Sequence, residues 1–130
     1  MEQKISQKKK FSLIARIRST DHAWRGLGIL IKTTHNFWLH IVLGLLAVYM
    51  GLILKISHIE WIFVVIAIGI VCMAEAFNTA IEIDIDLTSP NYHPYARDTK
   101  DVSAGAVLIA GVMAGVIGLI IFLPKIIALL

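Results

Sequence analysis

Three uncharged apolar stretches constrain this chain more than any other feature of its sequence. Residues 37–54, 61–74 and 102–123 contain no Asp, Glu, Lys or Arg. A helix needs about 20 predominantly apolar residues to cross a bilayer. Across all 130 residues, 58% are hydrophobic and 16% are charged, which excludes an ordinary soluble globular protein. The sequence therefore predicts an all-α membrane protein with one integral membrane domain over residues 1–130.

The second stretch is short for a span unless its helix continues through the acidic residues that follow. Residues 75–86 contain neither Gly nor Pro, and they precede the turn-forming segment LTSPNYHPYARDTK. One helix over about 61–87 is the simplest interpretation, with further spans at about 37–55 and 99–123. We expect Asp98 or Thr99 to cap the start of the last of these helices.

The distribution of basic residues predicts the orientation of the chain in the membrane. Eight of the 12 lysines and arginines precede the first span, whereas the loop between the first two spans carries Lys55 alone. Positive residues are enriched on the cytoplasmic side, so the amino terminus and the loop between the second and third spans are predicted to be cytoplasmic. The mixed apolar and basic segment at about 11–33 predicts an amphipathic helix on the inner leaflet.

Small residues are frequent in the third span and include a GxxxG pattern at Gly111 and Gly115. Such residues allow close approach of helix backbones, within one subunit or between subunits. A bundle of three helices leaves much lipid-facing surface, so the sequence predicts a homo-oligomer.

The end of the second span carries a group of polar side chains on one helical face. Glu75, Asn78, Glu82 and Asp86 fall within an arc of about 80° on a helix of 3.6 residues per turn. Asp84 falls on the opposite side and is interpreted as a solvated charge. A charge at the centre of a span costs at least ~2.5 kcal/mol, so we expect a partner to offset this cost.

A divalent cation or basic side chains could supply that partner, and Arg97 and Lys100 lie at the start of the third span. Carboxylates for Mg²⁺, a lysine for anionic oxygens and a helix amino terminus are typical of a site that handles phosphate. No Gly-Lys dipeptide occurs, so a Walker A loop is absent. A structural polar cluster that closes the cytoplasmic end of the bundle remains the alternative.

The segments EAFNTAIEIDID and SPNYHPYARDTKDVSAGAVLIA closely resemble the signature of the small prokaryotic diacylglycerol kinase family, which includes undecaprenol kinases. The amino-terminal segments RIRSTDHAWRGL and HNFWLH agree with this resemblance. The resemblance implies a homotrimer of three-span subunits, each with an amphipathic surface helix. It further implies an enzyme that uses ATP and Mg²⁺ to phosphorylate a lipid hydroxyl, of undecaprenol or diacylglycerol, at the cytoplasmic interface. No nucleic acid partner is implied.

The resemblance also implies roles for individual residues. Glu75 matches the catalytic carboxylate, which orients or deprotonates the lipid hydroxyl, and Asn78 matches the polar residue beside it at the substrate. Glu82 matches a metal-binding glutamate. The implied ATP-contacting positions are Glu82, Asn91, Tyr92, His93, Lys100 and Asp101, and either Arg16 or Arg18 matches a further nucleotide-contacting arginine. Tyr92 and His93, which stand between two prolines, could instead serve only to order the loop.

One position departs from the family pattern. The family usually carries a second metal-binding glutamate where this chain has Thr34, in the segment THNF. A hydroxyl group can join Mg²⁺ coordination, but it neutralises none of the charge. This departure leaves open a catalytically weakened or non-enzymatic scaffold of the same fold. A cation or proton pathway that uses Glu75 and Glu82 is a second, separate alternative to an active kinase.

Overall fold

The computed structural model describes the backbone of residues 13–129 and the side chains of residues 19–129. The regular elements of this part are four α-helices: α1 (Leu13–Thr33), α2 (His35–Ile53), α3 (His58–Thr88) and α4 (Pro94–Ile127). Helices α2, α3 and α4 are each long and apolar enough to cross a membrane. The predicted all-α membrane class is therefore confirmed. Residues 11 and 12 of the predicted surface helix, and the side chains of Arg16 and Arg18, lie outside the described part.

A single residue, Thr34, separates α1 from α2. Its extended backbone, with φ −107° and ψ 101°, interrupts the helical path. The indole Nε1 of Trp38 donates a hydrogen bond to the Ile31 carbonyl (3.0 Å), which fastens the two helices across this junction. The Oγ1 atoms of Thr34 and Thr79 lie 2.8 Å apart, so the junction is hydrogen-bonded to α3.

The turn between α2 and α3 depends on Lys55, which has a positive φ of 49°. The Lys55 amide donates to the Leu52 carbonyl (3.4 Å), and the Ile56 amide donates to the Gly51 carbonyl (3.1 Å). This pair of bonds is typical of a helix that ends in a left-handed residue. The chain therefore reverses direction within a few residues, and α3 returns alongside α2.

Glu60 fixes both the start of α3 and the end of α4. The Ser57 hydroxyl accepts from the Glu60 amide, and the Glu60 carboxylate accepts from the Ser57 amide (2.6 Å), which forms a capping box. The other carboxylate oxygen of Glu60 lies 3.2 Å from Nζ of Lys125 on α4. These contacts fix the relative register of α3 and α4 at this end of the bundle.

A small apolar core lies at the same end of the bundle. Ile56, Val64 and Ile121 are buried together, and the partly buried ring of Trp61 packs against them. Gly51 provides the space for that ring, since a Cβ atom at this position would lie 2.8 Å from Cη2 of Trp61. Most other large apolar side chains on α2, α3 and α4 are exposed in the single subunit, as expected for surfaces that face lipid or another protein.

We predict that Gly51→Ala destabilises the protein. Overpacking costs about 1–3 kcal/mol, and the better helix propensity of Ala offsets only about 1 kcal/mol of it. The midpoint of thermal unfolding in detergent should therefore fall. Gly26→Ala is the matched control, because an added Cβ meets no atom within 4 Å there. An equal rise in the unfolding midpoint for both variants would show that Trp61 moves aside without cost.

Helix α4 begins earlier than the sequence predicted. Its first residue is Pro94 and its N-cap is His93, so the expected cap at Asp98 or Thr99 is wrong. The Thr99 hydroxyl instead donates back to the Tyr95 carbonyl (2.8 Å). The reason is that the fixed φ of proline suits the first position of a helix, where no amide donor is needed.

Candidate functional site

A polar pocket of about 190 Å³ opens where the junction of α1 and α2 meets α3. Its lining residues are Thr33, Thr34, His35, Asn36, Glu75, Asn78 and Glu82. Glu75, Asn78 and Glu82 share it because residues spaced by three and four lie on one face of a helix. The structure thus brings together the predicted catalytic, substrate-binding and metal-binding residues of α3.

Glu75 is the most deeply enclosed of these side chains, with 2% of its surface exposed. Its Oε1 atom lies 3.0 Å from Nε2 of His40 on α2. A buried carboxylate is costly unless it is hydrogen-bonded, and this imidazole supplies such a bond. His40 was not among the site residues predicted from the sequence. The available signal was an ionisable residue inside the first apolar span, where such residues are rare and usually functional.

A chain of hydrogen bonds links α3 to α4 through Asn78. Its Nδ2 atom donates to Oε1 of Glu82 (3.0 Å), and its Oδ1 atom accepts from the Ser103 hydroxyl (2.7 Å). The same hydroxyl lies 2.9 Å from the carbonyl of Lys100. Ser103 is buried and was also missed, although a serine three residues after Lys100 on a helix was available as a signal. These bonds fix the amide orientation of Asn78 and hold the Glu82 carboxylate.

Lys100 lies one turn further along the same interface. Its Nζ atom donates to Oδ1 of Asp86 at 2.5 Å, and both side chains are partly open to solvent. An exposed ion pair contributes little stability, so the effect of this contact is to place the ammonium group beside α3. Asp84 is exposed on the other side of the helix.

The remaining predicted ATP-contacting residues do not line the polar pocket. Asn91, Tyr92 and His93 are exposed in the short connection between α3 and α4. The rings of His93 and Tyr95 lie 5.7 Å apart. Asp101 is exposed on α4, where it forms an ion pair with Arg97 (3.5 Å). These exposed polar groups lie in the connection before α4 and in the first turns of α4, the helix that carries Lys100.

The donor atoms of the pocket suit one type of metal site. Among the residues that the structure describes, no three His, Cys, Asp or Glu side chains are grouped to hold a metal ion. Asn78 engages Oε1 of Glu82, which leaves Oε2 as a ligand atom. Mg²⁺ commonly takes one or two carboxylates and completes its shell with water and substrate phosphates. The site therefore fits Mg²⁺ carried largely by a nucleotide, and it does not fit a cage made of protein ligands alone.

The fold and the pocket define a class of protein: a multi-pass α-helical membrane protein with a buried glutamate between its helices. Residues 21–122 match the family described as prokaryotic diacylglycerol kinase. The chain belongs to this family of kinases, and the resemblance seen in its sequence is confirmed.

Two curated relatives have different acceptors in their names. The undecaprenol kinase of Bacillus subtilis (strain 168) is 38% identical over 108 residues, which cover 83% of this chain and 88% of that protein. The diacylglycerol kinase of a Synechocystis species is 32% identical over 110 residues, which cover 84% of this chain and 63% of that protein. Both relatives are therefore kinases that match most of this chain.

Proposed function

We propose that this protein transfers the γ-phosphoryl group of ATP to the hydroxyl of a membrane lipid, undecaprenol or diacylglycerol, at the cytoplasmic interface. The observation that carries this proposal is the position of Glu75. It is buried on a membrane-spanning helix and shares one polar pocket with Glu82. A lipid hydroxyl and a phosphate group can meet only where apolar surface borders such a pocket. The names of the two relatives support a lipid alcohol as the acceptor.

In this mechanism Glu75 orients the lipid hydroxyl and accepts its proton. A general base must lie within hydrogen-bond reach of the proton that it removes. The lipid hydroxyl oxygen attacks the γ-phosphorus in line with the oxygen of the leaving ADP. His40 engages Oε1 of Glu75, so the second oxygen, Oε2, is left for the hydroxyl. The new bond joins the lipid oxygen to the γ-phosphorus, and ADP leaves.

We assign Glu82 and Lys100 to the part of the site that stabilises the charge of the phosphates. Mg²⁺, when bound, neutralises phosphate charge and orients the transferred group, and Glu82 would hold it. Lys100 stabilises the phosphate oxygens from the α4 side, where Asp86 directs its ammonium group. We assign Asn91, Tyr92, His93 and Asp101 to contacts with the nucleotide, since they are exposed around the start of α4, the helix that carries Lys100.

We further propose the topology and assembly that such a site requires. The amino terminus and the connection between α3 and α4 lie in the cytoplasm, where ATP is available, and α1 lies along the inner leaflet. Three subunits form a homotrimer. Support for close approach between subunits comes from Gly111 and Gly115, where an added Cβ would meet no atom within 4 Å in the single subunit.

The test is transfer of labelled γ-phosphate from Mg-ATP to undecaprenol and to diacylglycerol in mixed micelles. We expect a labelled product with one of the two lipids, and a strongly reduced rate of its formation with the Glu75→Gln variant. If the wild-type protein labels neither lipid, the result would favour the non-enzymatic scaffold. Ion flux into liposomes that needs Glu82 but not ATP would favour the cation or proton pathway.

One observation favours a catalytically weakened enzyme as the second candidate. Thr34 occupies the position of the family's second metal-binding glutamate, and its hydroxyl is hydrogen-bonded to Thr79. The pocket therefore has fewer negative charges to retain a metal–nucleotide complex. A measurable but slow transfer, with a high requirement for Mg²⁺, is the expected signature of this candidate.

A further inference from the structure

We propose that His40 is a positioning residue for the reaction, and that it holds the Glu75 carboxylate in the orientation needed to meet the lipid hydroxyl. The inference rests on the proposed function, because it assumes that Glu75 handles the acceptor. It assigns a role to a residue of the first span to which the sequence patterns gave no function of its own.

The geometry places His40 between two different environments. It lines an apolar groove of about 590 Å³ between α2, α3 and α4, whereas Glu75 lines the polar pocket. Nε2 of His40 and Oε1 of Glu75 lie 3.0 Å apart, and their side chains are 19% and 2% exposed. The contact therefore lies at the border between surface suited to a lipid chain and surface suited to phosphate.

A glutamate has three rotatable side-chain bonds, so its carboxylate needs a partner to hold one orientation. In the part of the chain that the structure describes, Glu75 is held by His40 of α2, while Asn78 and Glu82 bond to each other. A hydrogen bond from the imidazole N–H occupies Oε1, so Oε2 is the oxygen that remains for the lipid hydroxyl. A displacement of about 1 Å can cost roughly 100-fold in rate, so the loss of this one contact should reduce turnover strongly.

The experiment compares His40→Gln with His40→Asn in the phosphate-transfer assay. The Gln amide nitrogen reaches the position of Nε2 and can donate the same bond, whereas the shorter Asn amide cannot. We expect His40→Gln to retain most of the wild-type kcat and His40→Asn to lose roughly 10- to 100-fold. The KM for ATP should stay unchanged in both, because His40 does not line the polar pocket.

His40→Leu and His58→Leu complete the design. His58 is exposed at the start of α3, so its substitution should leave kcat unchanged, while His40→Leu should behave like His40→Asn. Thermal unfolding in detergent checks that each variant is folded. Equal kcat for the Gln and Asn variants, or a higher KM for the lipid with unchanged kcat, would overturn the inference.

The two levels of the proposal fail in different ways. Loss of transfer in Glu75→Gln combined with full activity in both His40→Asn and His40→Leu would overturn the positioning role and leave the proposed function intact. A wild-type protein that phosphorylates neither lipid would overturn the proposed function and this inference together.

Discussion

Glu75→Gln is expected to lower the kcat of lipid phosphorylation by roughly 10²- to 10⁴-fold, the range that a general base contributes. The substitution preserves the size of the side chain and keeps an oxygen that can accept from Nε2 of His40, so the packing around it should persist. What is lost is the capacity to take a proton and the negative charge. The KM for ATP should therefore change little, since the nucleotide contacts are proposed around Glu82 and Lys100.

Asp84→Asn is the matched control for this variant. It removes one negative charge from the same helix, but Asp84 is exposed on the opposite face. Initial rates of labelled phosphate transfer, measured at saturating lipid and Mg-ATP, should show wild-type kcat for Asp84→Asn. If the two variants lose activity equally, the effect reports helix charge and not a base at residue 75. If Glu75→Gln keeps more than half of the wild-type rate, another group accepts the proton.

Most of the site on α3 could be predicted from sequence because it depends on a single helix. The spacing of Glu75, Asn78 and Glu82 fixes their common face as soon as the segment is assigned as helical. Their partners could not be predicted in this way. His40 and Ser103 reach the face from α2 and α4, and their positions follow from helix packing and from the one-residue junction at Thr34.

The fold was predictable to a similar extent. Apolar stretches and the absence of Gly and Pro in residues 75–86 were sufficient to assign the membrane class and to expect one unbroken helix, and α3 does run from His58 to Thr88. The start of α4 was misplaced because proline was taken only as a breaker. At the first position of a helix, proline is favourable, and the helix therefore begins at Pro94.

The pair formed by Asp86 and Lys100 was predictable in part: the two residues could be identified from the sequence, but their contact could not. Both residues were singled out in the sequence, Asp86 on the acidic face and Lys100 at the start of the third span. Only the structure shows that they bond to each other across α3 and α4. The contact holds the half-buried Lys100 beside the acidic face of α3.

Glu82→Gln is expected to raise the Mg²⁺ concentration for half-maximal rate by at least ~10-fold, because loss of even an outer-shell partner of a metal commonly weakens its binding by that factor. Thr34 supplies no charge, so the loss of Glu82 leaves Glu75 as the only carboxylate among the residues that line the pocket. Gln keeps an oxygen that can accept from Asn78, so the hydrogen bond to α4 through Ser103 should survive. A titration of initial rate against Mg²⁺ at fixed ATP measures the shift.

Thr34→Glu supplies the reciprocal arm of this experiment. It adds a carboxylate to the lining of the same pocket, so the wild-type requirement for Mg²⁺ should fall, and the double variant with Glu82→Gln should recover part of the lost affinity. Thr34→Val is the control for the broken hydrogen bond to Thr79, since it removes the hydroxyl without adding charge. If Thr34→Glu and Thr34→Val shift the requirement equally, the hydroxyl contact and not the missing charge sets the metal affinity. If Glu82→Gln leaves the titration unchanged, Mg²⁺ is held elsewhere and the assignment of Glu82 is wrong.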